Sequence, residues 1–524
     1  MTARNYPVIV GGITLHNFVL KLKTLAYTVL AIFFSLIWVL ALLLHGWASP
    51  FPRLSPQKPL LLAGLALFVF IFFMLVNRAS HALSKINRRK FVLRILLLYT
   101  LLQILFVLLF PVNAYEDARI VNNIALQFLE GDFNALGIGK YLGYYPNNIG
   151  ITIFIAFIYM ILPKSYITLR IINALCNTIT AWLIYSLYRE LYPEKREKAC
   201  GILILAVTFL PPVILNNFTY GDILCNTLCL AAMLNALRFT KYGSGRYAAC
   251  TAIFLMSANF MRSVALLFLA AIIFYWLINF KTKIALTLKN MAYGILTLLI
   301  FTLPMKMFSF AALKAGIIPE PVGVHANPVW RWINMGFPGK KLGYWDGGRN
   351  IGIFVNRFKC NKHDASIYFV NELLDKYRIT GMKEVLKAYT KKTFWLWTEG
   401  TYSVNYYGLS QAVDSSRFML YSTPLLKLVE PWDRAARLSL DWVLHSYNWL
   451  LIGLTCLYLF DAARKKDFRL ELFVYVIYLY IGFYMFWEIK SRYIFGVYPL
   501  LLIMGYYYSG RLYSLFSGKI RKIT

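Results

Sequence analysis

Three short groups of charged residues carry the chemistry this sequence can do. Glu116 and Asp117 are adjacent carboxylates in Asn113-Ala-Tyr-Glu-Asp-Ala-Arg119, directly after an apolar run. On a helix, neighbours diverge by about 100°, so only one of the two need point into a given cleft. Asp117, Val121 and Ala125 then share one face. A carboxylate held just above an apolar bundle can take the proton of an attacking hydroxyl, an effect of roughly 10²–10⁴ in rate. It can equally cap the start of a helix. Asp222, in Asn216-Asn-Phe-Thr-Tyr-Gly-Asp222, is a second carboxylate in the same kind of position. It is suited to capping the next helix and meeting its dipole, or to binding a metal or orienting an acceptor hydroxyl. No Cys/His spacing accompanies it, so a zinc site of the usual type is not indicated.

The third group is cationic. Arg262 lies between two short apolar runs, and Lys490 and Arg492 lie in Glu488-Ile-Lys-Ser-Arg-Tyr493. A phosphate at a membrane surface needs partly desolvated Arg or Lys, where charge-assisted hydrogen bonds are strongest. The alternative is that each snorkels to lipid headgroups. Aromatic, glycine-bearing stretches recur at Asn327-Pro-Val-Trp-Arg-Trp-Ile-Asn-Met-Gly336 and Trp395-Leu-Trp-Thr-Glu-Gly-Thr401. Such rings can stack on the C–H faces of a sugar, or simply form an interfacial belt or domain core. Tyr145, Asn147, His325, Trp332, Glu399 and Glu488 are the candidate wall residues of a substrate site, with Tyr145 and Asn147 in the short motif Tyr145-Pro-Asn-Asn148.

The elements that must position these groups are membrane helices. The chain has 524 residues, 59% hydrophobic and only 15% charged, against about 25% in soluble domains. Its apolar residues cluster into runs close to bilayer length, which excludes soluble, disordered, fibrous and disulfide-rich readings. Twelve spans are predicted: Leu25–Leu44, Leu60–Val76, Ile95–Phe110, Ile167–Tyr188, Gly201–Leu215, Ile223–Leu237, Ala248–Phe260, Val264–Phe280, Met291–Phe310, Trp442–Phe460, Leu472–Trp487 and Tyr493–Tyr508. Ala248–Phe260 is short enough to be broken or re-entrant. Ile149–Leu162 is assigned as an interfacial helix, because a thirteenth span would turn the basic connection Arg189–Lys198 outward, against the positive-inside rule. No cleavable signal peptide is evident, and the first run is expected to stay as an anchor.

The expected fold is therefore an all-α polytopic bundle of about twelve transmembrane helices with an extracytoplasmic mixed domain. It divides into an N-terminal two-helix extension with a basic cytoplasmic loop (1–94), a transmembrane core with a first outer loop at 111–166 (95–310), an outer domain (311–441) and three C-terminal helices (442–524). The net charge is +32, from 55 basic and 23 acidic residues. The basic residues gather in Arg4, Lys21, Lys23, Arg78–Arg94, Arg189–Lys198, Arg238–Arg246, Lys281–Lys289, Arg464–Arg469 and Arg511–Lys522. These sit on one predicted side, so the charge faces anionic membrane lipids and no nucleic-acid partner is expected. Both termini are then cytoplasmic. None of the 23 acidic residues falls inside a predicted span, which counts against an ion-coupled transporter. A lipid-linked saccharide flippase or small-molecule transporter remains the alternative class, and a non-catalytic partner of wall-assembly enzymes a third.

Taken in order, these motifs resemble the GT-C type, polyprenyl-phosphate-sugar-dependent glycosyltransferases. The nearest likeness is to the protein O-mannosyltransferase and aminoarabinose-transferase group and to related integral membrane proteins of Gram-positive bacteria. The matching features are Asp117-x₃-Val-x₃-Ala-x₅-Gly131-Asp-Phe, Tyr145-Pro-Asn-Asn, Arg170 opening the next span, Asp222, Arg262, and Glu488-x₃-Arg492-Tyr493. The resemblance implies an inverting hexosyl transfer to a hydroxyl of a cell-envelope glycan, lipid or protein, outside the plasma membrane of a bacterium. It implies Asp117 as the base, although the family's Asp-Glu order reads Glu116-Asp117 here and leaves both carboxylates as candidates. It also implies Arg262 and Arg492 as ligands of the donor phosphate, and Lys490, two residues before Arg492, is added to them as a third candidate. Asp222 falls where some members bind a divalent metal (Mg, Mn or Ca), with Asp117 as its possible co-ligand. Three helices precede the first outer loop instead of one, which suggests two added N-terminal spans.

Overall fold

A computed structural model describes residues 9–10, 13–48, 52–83, 87–114, 116–279, 284–409, 421, 423–425 and 435–523. The predicted basic positions Arg4 and Lys281 lie outside the described residues, as does most of 410–434 in the expected outer domain.

Each of the twelve apolar runs is helical over most of its length. Among the described residues, seven helices are long and apolar enough to cross a bilayer: Asn17–Leu40, Pro59–Ser80, Arg88–Leu109, Tyr166–Leu191, Asp222–Tyr242, Leu288–Lys314 and Ala435–Lys465. Two further apolar helices are shorter. Ala265–Ile278 has 14 residues and Glu471–Phe486 has 16, about 21 and 24 Å at 1.5 Å per residue. The run at 201–215 breaks into Ala199–Thr208 and Leu210–Leu215, with Phe209 extended between them. Pro211 and Pro212 have no amide hydrogen to continue the first helix, so they sit in the opening turn of the second. The last run begins as a 3₁₀ turn, Ser491–Val497, before Tyr498–Ile523.

The helix expected at the interface is Ile149–Ile161, 13 residues long. With the short turns before it, it forms a pair bent by 108°. One face is buried against the Glu116–Leu129 and Gly245–Met261 helices. Gly150 makes the second contact possible, since a Cβ there would sit 1.7 Å from the Phe260 carbonyl oxygen. Phe157 and Met160, on its other side, are exposed.

The two ends of the bundle differ chemically. At one end the basic connections pair with their own acids: Lys23 with Glu471 at 2.5 Å, Arg238 and Lys241 with Glu190 at 3.2 and 2.7 Å, and Arg469 with Glu194 and Asp467. At the other end sit the Glu116–Leu129 helix, the 216–221 loop, the Arg262 turn, the Glu488–Arg492 loop and the described part of the 311–441 segment. That part is helical, with Val329–Gly336, Lys362–Thr380 and Met382–Glu399 its largest elements.

The N-terminal extension is built into this end. Leu44–Trp47 pairs antiparallel with Arg53–Pro56 between the first two helices. The Gly46 amide donates to Thr398 Oγ1 at 2.9 Å, and Trp395 Nε1 donates to the Trp47 carbonyl at 3.0 Å. A Cβ on Gly46 would lie 2.5 Å from the Trp395 carbonyl oxygen, so the hairpin needs glycine to approach the Met382–Glu399 helix.

Candidate active site

The carboxylates at 116 and 117 open the Glu116–Leu129 helix, where negative charge meets the positive end of the helix dipole. Glu116 has φ 45°, a conformation that costs a non-glycine residue energy and that is stored at functional sites. The helix is fixed from behind by a buried amide. Asn122 accepts from Tyr159 Oη at 2.7 Å and donates to Thr219 Oγ1 at 3.3 Å. The 216–221 loop is held the same way: Asn217 donates to the carbonyls of Phe110 and Gly408 at 2.9 and 2.8 Å, and Asn216 to Gln103 Oε1 at 2.9 Å. Gly221, at φ 85°, lets the chain turn into the helix that starts at Asp222.

The two adjacent carboxylates have different surroundings. Glu116 accepts three hydrogen bonds. Its Oε1 accepts from Tyr406 Oη at 2.8 Å, and its Oε2 accepts from Lys490 Nζ at 3.0 Å and Tyr407 Oη at 3.4 Å. Burial pushes its carboxyl up, but the Lys490 ammonium and the Tyr406 bond outweigh burial and hold it below the usual carboxylate range. Among the described residues, Asp117 accepts one bond, on Oδ1 from Tyr141 Oη at 2.8 Å. Tyr141 is itself oriented by Asn148 Nδ2 at 2.9 Å, and Asn148 by Tyr220 Oη at 2.8 Å. This relay orients the Asp117 carboxylate.

The cations lie across from them. Arg492, 3% exposed in its side chain, donates through Nη1 to both Asp222 oxygens at 3.1 and 3.0 Å. Its guanidinium carbon is 4.7–5.4 Å from the ring centroids of Phe218, Tyr220, Tyr407 and Tyr493, a set of cation–π contacts. Arg262 caps the Gly245–Met261 helix in extended conformation, 3.7 Å from Asp222 Oδ1 and 4.2 Å from the Tyr220 ring. Burial works against the charge of Arg262, Lys490 and Arg492, yet the neighbouring carboxylates and phenols raise all three above their ordinary values. Glu488, which accepts from Tyr493 Oη at 3.1 Å, is pushed up by burial despite Lys490.

One cavity of about 1430 Å³ gathers these groups. Nine of the twelve sequence-predicted residues line it: Glu116, Asp117, Tyr145, Asn147, Arg262, Trp332, Glu488, Lys490 and Arg492. Trp332 stacks on Trp487 at 5.8 Å and meets Tyr145 at 5.7 Å, forming an aromatic wall. Ile120, Val264, Leu266 and Phe483 form an apolar flank, of which Ile120 and Leu266 are also exposed. Asp222 does not line the cavity but pairs with its two arginines.

His325 and Glu399 are elsewhere. His325 Nε2 is 3.2 Å from Glu320, in a small separate groove. Glu399 is buried and accepts the amides of Thr401 and Tyr402 at 3.1 and 3.0 Å, anchoring the turn that leads to Tyr406 and Tyr407. Tyr141, Tyr406 and Tyr407 were not singled out from the sequence, and Asn148 entered only as the end of its motif. The signal for the tyrosines was present in the clusters beside Pro146 and Gly408, but tyrosines in membrane proteins are common enough to hide it.

Among the described residues, no three His, Cys, Asp or Glu side chains converge as a metal-ligand set. Asp222 has both oxygens on one guanidinium and a second guanidinium beside it, an arrangement that repels a divalent cation. The residues present do not fit such an ion as they are arranged.

No curated protein matches the chain. Residues 148–308 match the family model described as dolichyl-phosphate-mannose-protein mannosyltransferase. The matched segment runs from Asn148 through Arg170, Asp222 and Arg262, and leaves Glu116, Asp117, Lys490 and Arg492 outside it. Over that segment, this multi-pass membrane protein matches the mannosyltransferase family of the GT-C superfamily of glycosyltransferases.

Proposed function

We propose that the protein transfers a hexosyl group from a polyprenyl-phosphate sugar to the hydroxyl of an acceptor, with inversion, on the extracytoplasmic face of the membrane. The acceptor oxygen attacks the anomeric carbon and its proton passes to the free oxygen of Asp117. The bond between the anomeric carbon and the phosphate oxygen breaks, and the phosphate leaves with the electron pair. Arg262, Arg492 and Lys490 stabilise the charge that develops there. A phosphate needs no proton to leave.

One observation carries the reading: a single cavity is lined both by Asp117, with an oxygen uncommitted among the described residues, and by Arg262, Lys490 and Arg492. The aromatic wall around Trp332 suits a sugar ring, and the apolar flank at Ile120 and Leu266 suits a prenyl tail. The matched family's description names a lipid-phosphate mannose donor, which supports the same donor class. The basic end of the bundle, by the positive-inside rule, supports a cytoplasmic position for the end opposite the cavity. A cell-envelope polymer or glycolipid is the acceptor proposed.

Of the two carboxylates, Asp117 is the better base, since Glu116 is already held by Lys490, Tyr406 and Tyr407. The test is incubation of the purified chain with a polyprenyl-phosphate sugar labelled in the sugar, with and without envelope-derived acceptors. Acceptor-dependent release of free polyprenyl phosphate together with labelled acceptor supports the proposal. Movement of intact donor across a vesicle membrane without cleavage would support a flippase in its place.

A further inference from the structure

Among the described residues, Asp222 is the acid at this site that holds cations without touching the cavity. Its carboxylate accepts from Arg492 Nη1 through both oxygens, at 3.1 and 3.0 Å, and its Oδ1 lies 3.7 Å from Arg262 Nη2. Both arginines line the cavity while Asp222 does not. The aspartate, 19% exposed in its side chain, therefore holds the pair from outside the cavity lining, to which both arginines contribute. Arg492 Nε is buried and donates to no described partner, so the guanidinium has bonding capacity to spare. The ring cage of Phe218, Tyr220, Tyr407 and Tyr493 keeps that guanidinium in place whether or not a ligand is bound.

The formal charge of this unit is +1, from two guanidiniums and one carboxylate. A polyprenyl-phosphate sugar is a phosphodiester with one negative charge. The polyprenyl phosphate left after transfer is a monoester whose second ionisation falls at about pH 6, so it carries close to two charges at neutral pH. Two bare arginines would match the product better than the donor. We infer that Asp222 is a positioning residue that sets the two-arginine unit to the charge of a phosphodiester and so lets the monoester product leave. This rests on the proposed glycosyl transfer for its reaction, but the charge match itself is a property of binding.

The test uses the full-length chain in nanodiscs, wild type and Asp222→Asn, with Asp222→Glu as the charge-keeping control. A short prenyl monophosphate and a prenyl methyl phosphodiester are titrated in at pH 7.5, and turnover is measured in parallel. The asparagine keeps an acceptor for Arg492 but removes the counter-charge. Asp222→Asn is expected to bind the monophosphate at least about tenfold more tightly, with a smaller gain for the diester. KM and kcat should fall together as product release slows, and Asp222→Glu, which keeps the counter-charge, should retain the wild-type ratio of diester to monophosphate affinity. Equal or weaker monophosphate binding by Asp222→Asn, in protein with an unchanged melting temperature, overturns the inference. Wild-type protein that binds neither phosphate overturns the carrier-phosphate reading itself, which is a different result.

Discussion

Lys490 Nζ donates to Glu116 Oε2 at 3.0 Å across 374 positions of sequence, joining the first outer helix to the loop before the last span. Lys490 is 9% exposed in its side chain and Glu116 29%, so the pair is shielded well enough that removing one partner strands the other. Lys490→Met is expected to lower stability by about 1–3 kcal/mol, the cost of taking one charge-assisted partner from a partly buried carboxylate that keeps its two tyrosines. Adding Glu116→Gln should recover most of it, because no charge is then left alone. Thermal unfolding of the single and double variants in detergent measures the coupling. The pH dependence has a definite sign. Glu116 sits below its ordinary value, so its contribution is complete above the usual carboxylate range and is lost as pH falls through the depressed value. Lys490 sits above its ordinary value, so its contribution is complete below the usual lysine range and is lost only as pH rises through the raised one. Between those limits the pair stays charged, and the melting temperature difference between wild type and the double variant should be flat from about pH 6 to 9.

Trp332 lies between Tyr145 and Trp487 and lines the cavity. If the wall receives the sugar ring, Trp332→Ala loses aromatic contact of about 0.5–1.5 kcal/mol beyond area, a rise in donor KM of roughly 2- to 13-fold. Trp332→Phe should restore most of it. An unchanged donor KM in the alanine variant would remove Trp332 from the site.

Gly336 and Lys392 join the helices of the 311–409 segment to the bundle. A Cβ at Gly336 would lie 2.2 Å from the Phe486 carbonyl oxygen. Lys392, fully buried, donates to the carbonyls of Gly336 and Trp487 at 2.5 and 2.6 Å. Burial, only partly offset by Glu488, lowers its pKa to about 7. Gly336→Ala should therefore displace the loop that leads into Glu488, Lys490 and Arg492, lowering activity and melting temperature together. Gly339 is the control, because a methyl group there would have no atom within 4 Å. Gly339→Ala should lower neither.

The helices and the order of the motifs were legible because apolar runs and charge sidedness are local signals. The twelve runs are helical over most of their length, and Asp117, Arg262, Lys490 and Arg492 share one cavity as their predicted sidedness requires. The break at Phe209, and the one-residue interruption at Thr302 inside the Leu288–Lys314 span, each lie two residues before a proline, a cue the hydropathy windows averaged away. What was not legible depends on long-range packing. Nothing near Glu399 marks it as a turn anchor, and nothing near Asp222 says that its partner lies 270 positions away. The tyrosines that orient Asp117 and bond Glu116 likewise become recognisable only once the 111–166 and 311–409 segments are docked together.

The central claim is that Asp117 acts on the acceptor while the cations hold the carrier, and it separates cleanly in one experiment. Donor binding and single-turnover transfer are measured side by side for Asp117→Asn in nanodiscs. The account predicts wild-type donor affinity with transfer reduced roughly 10²–10⁴-fold, at an unchanged melting temperature. Transfer at a near-wild-type rate in that variant would contradict it.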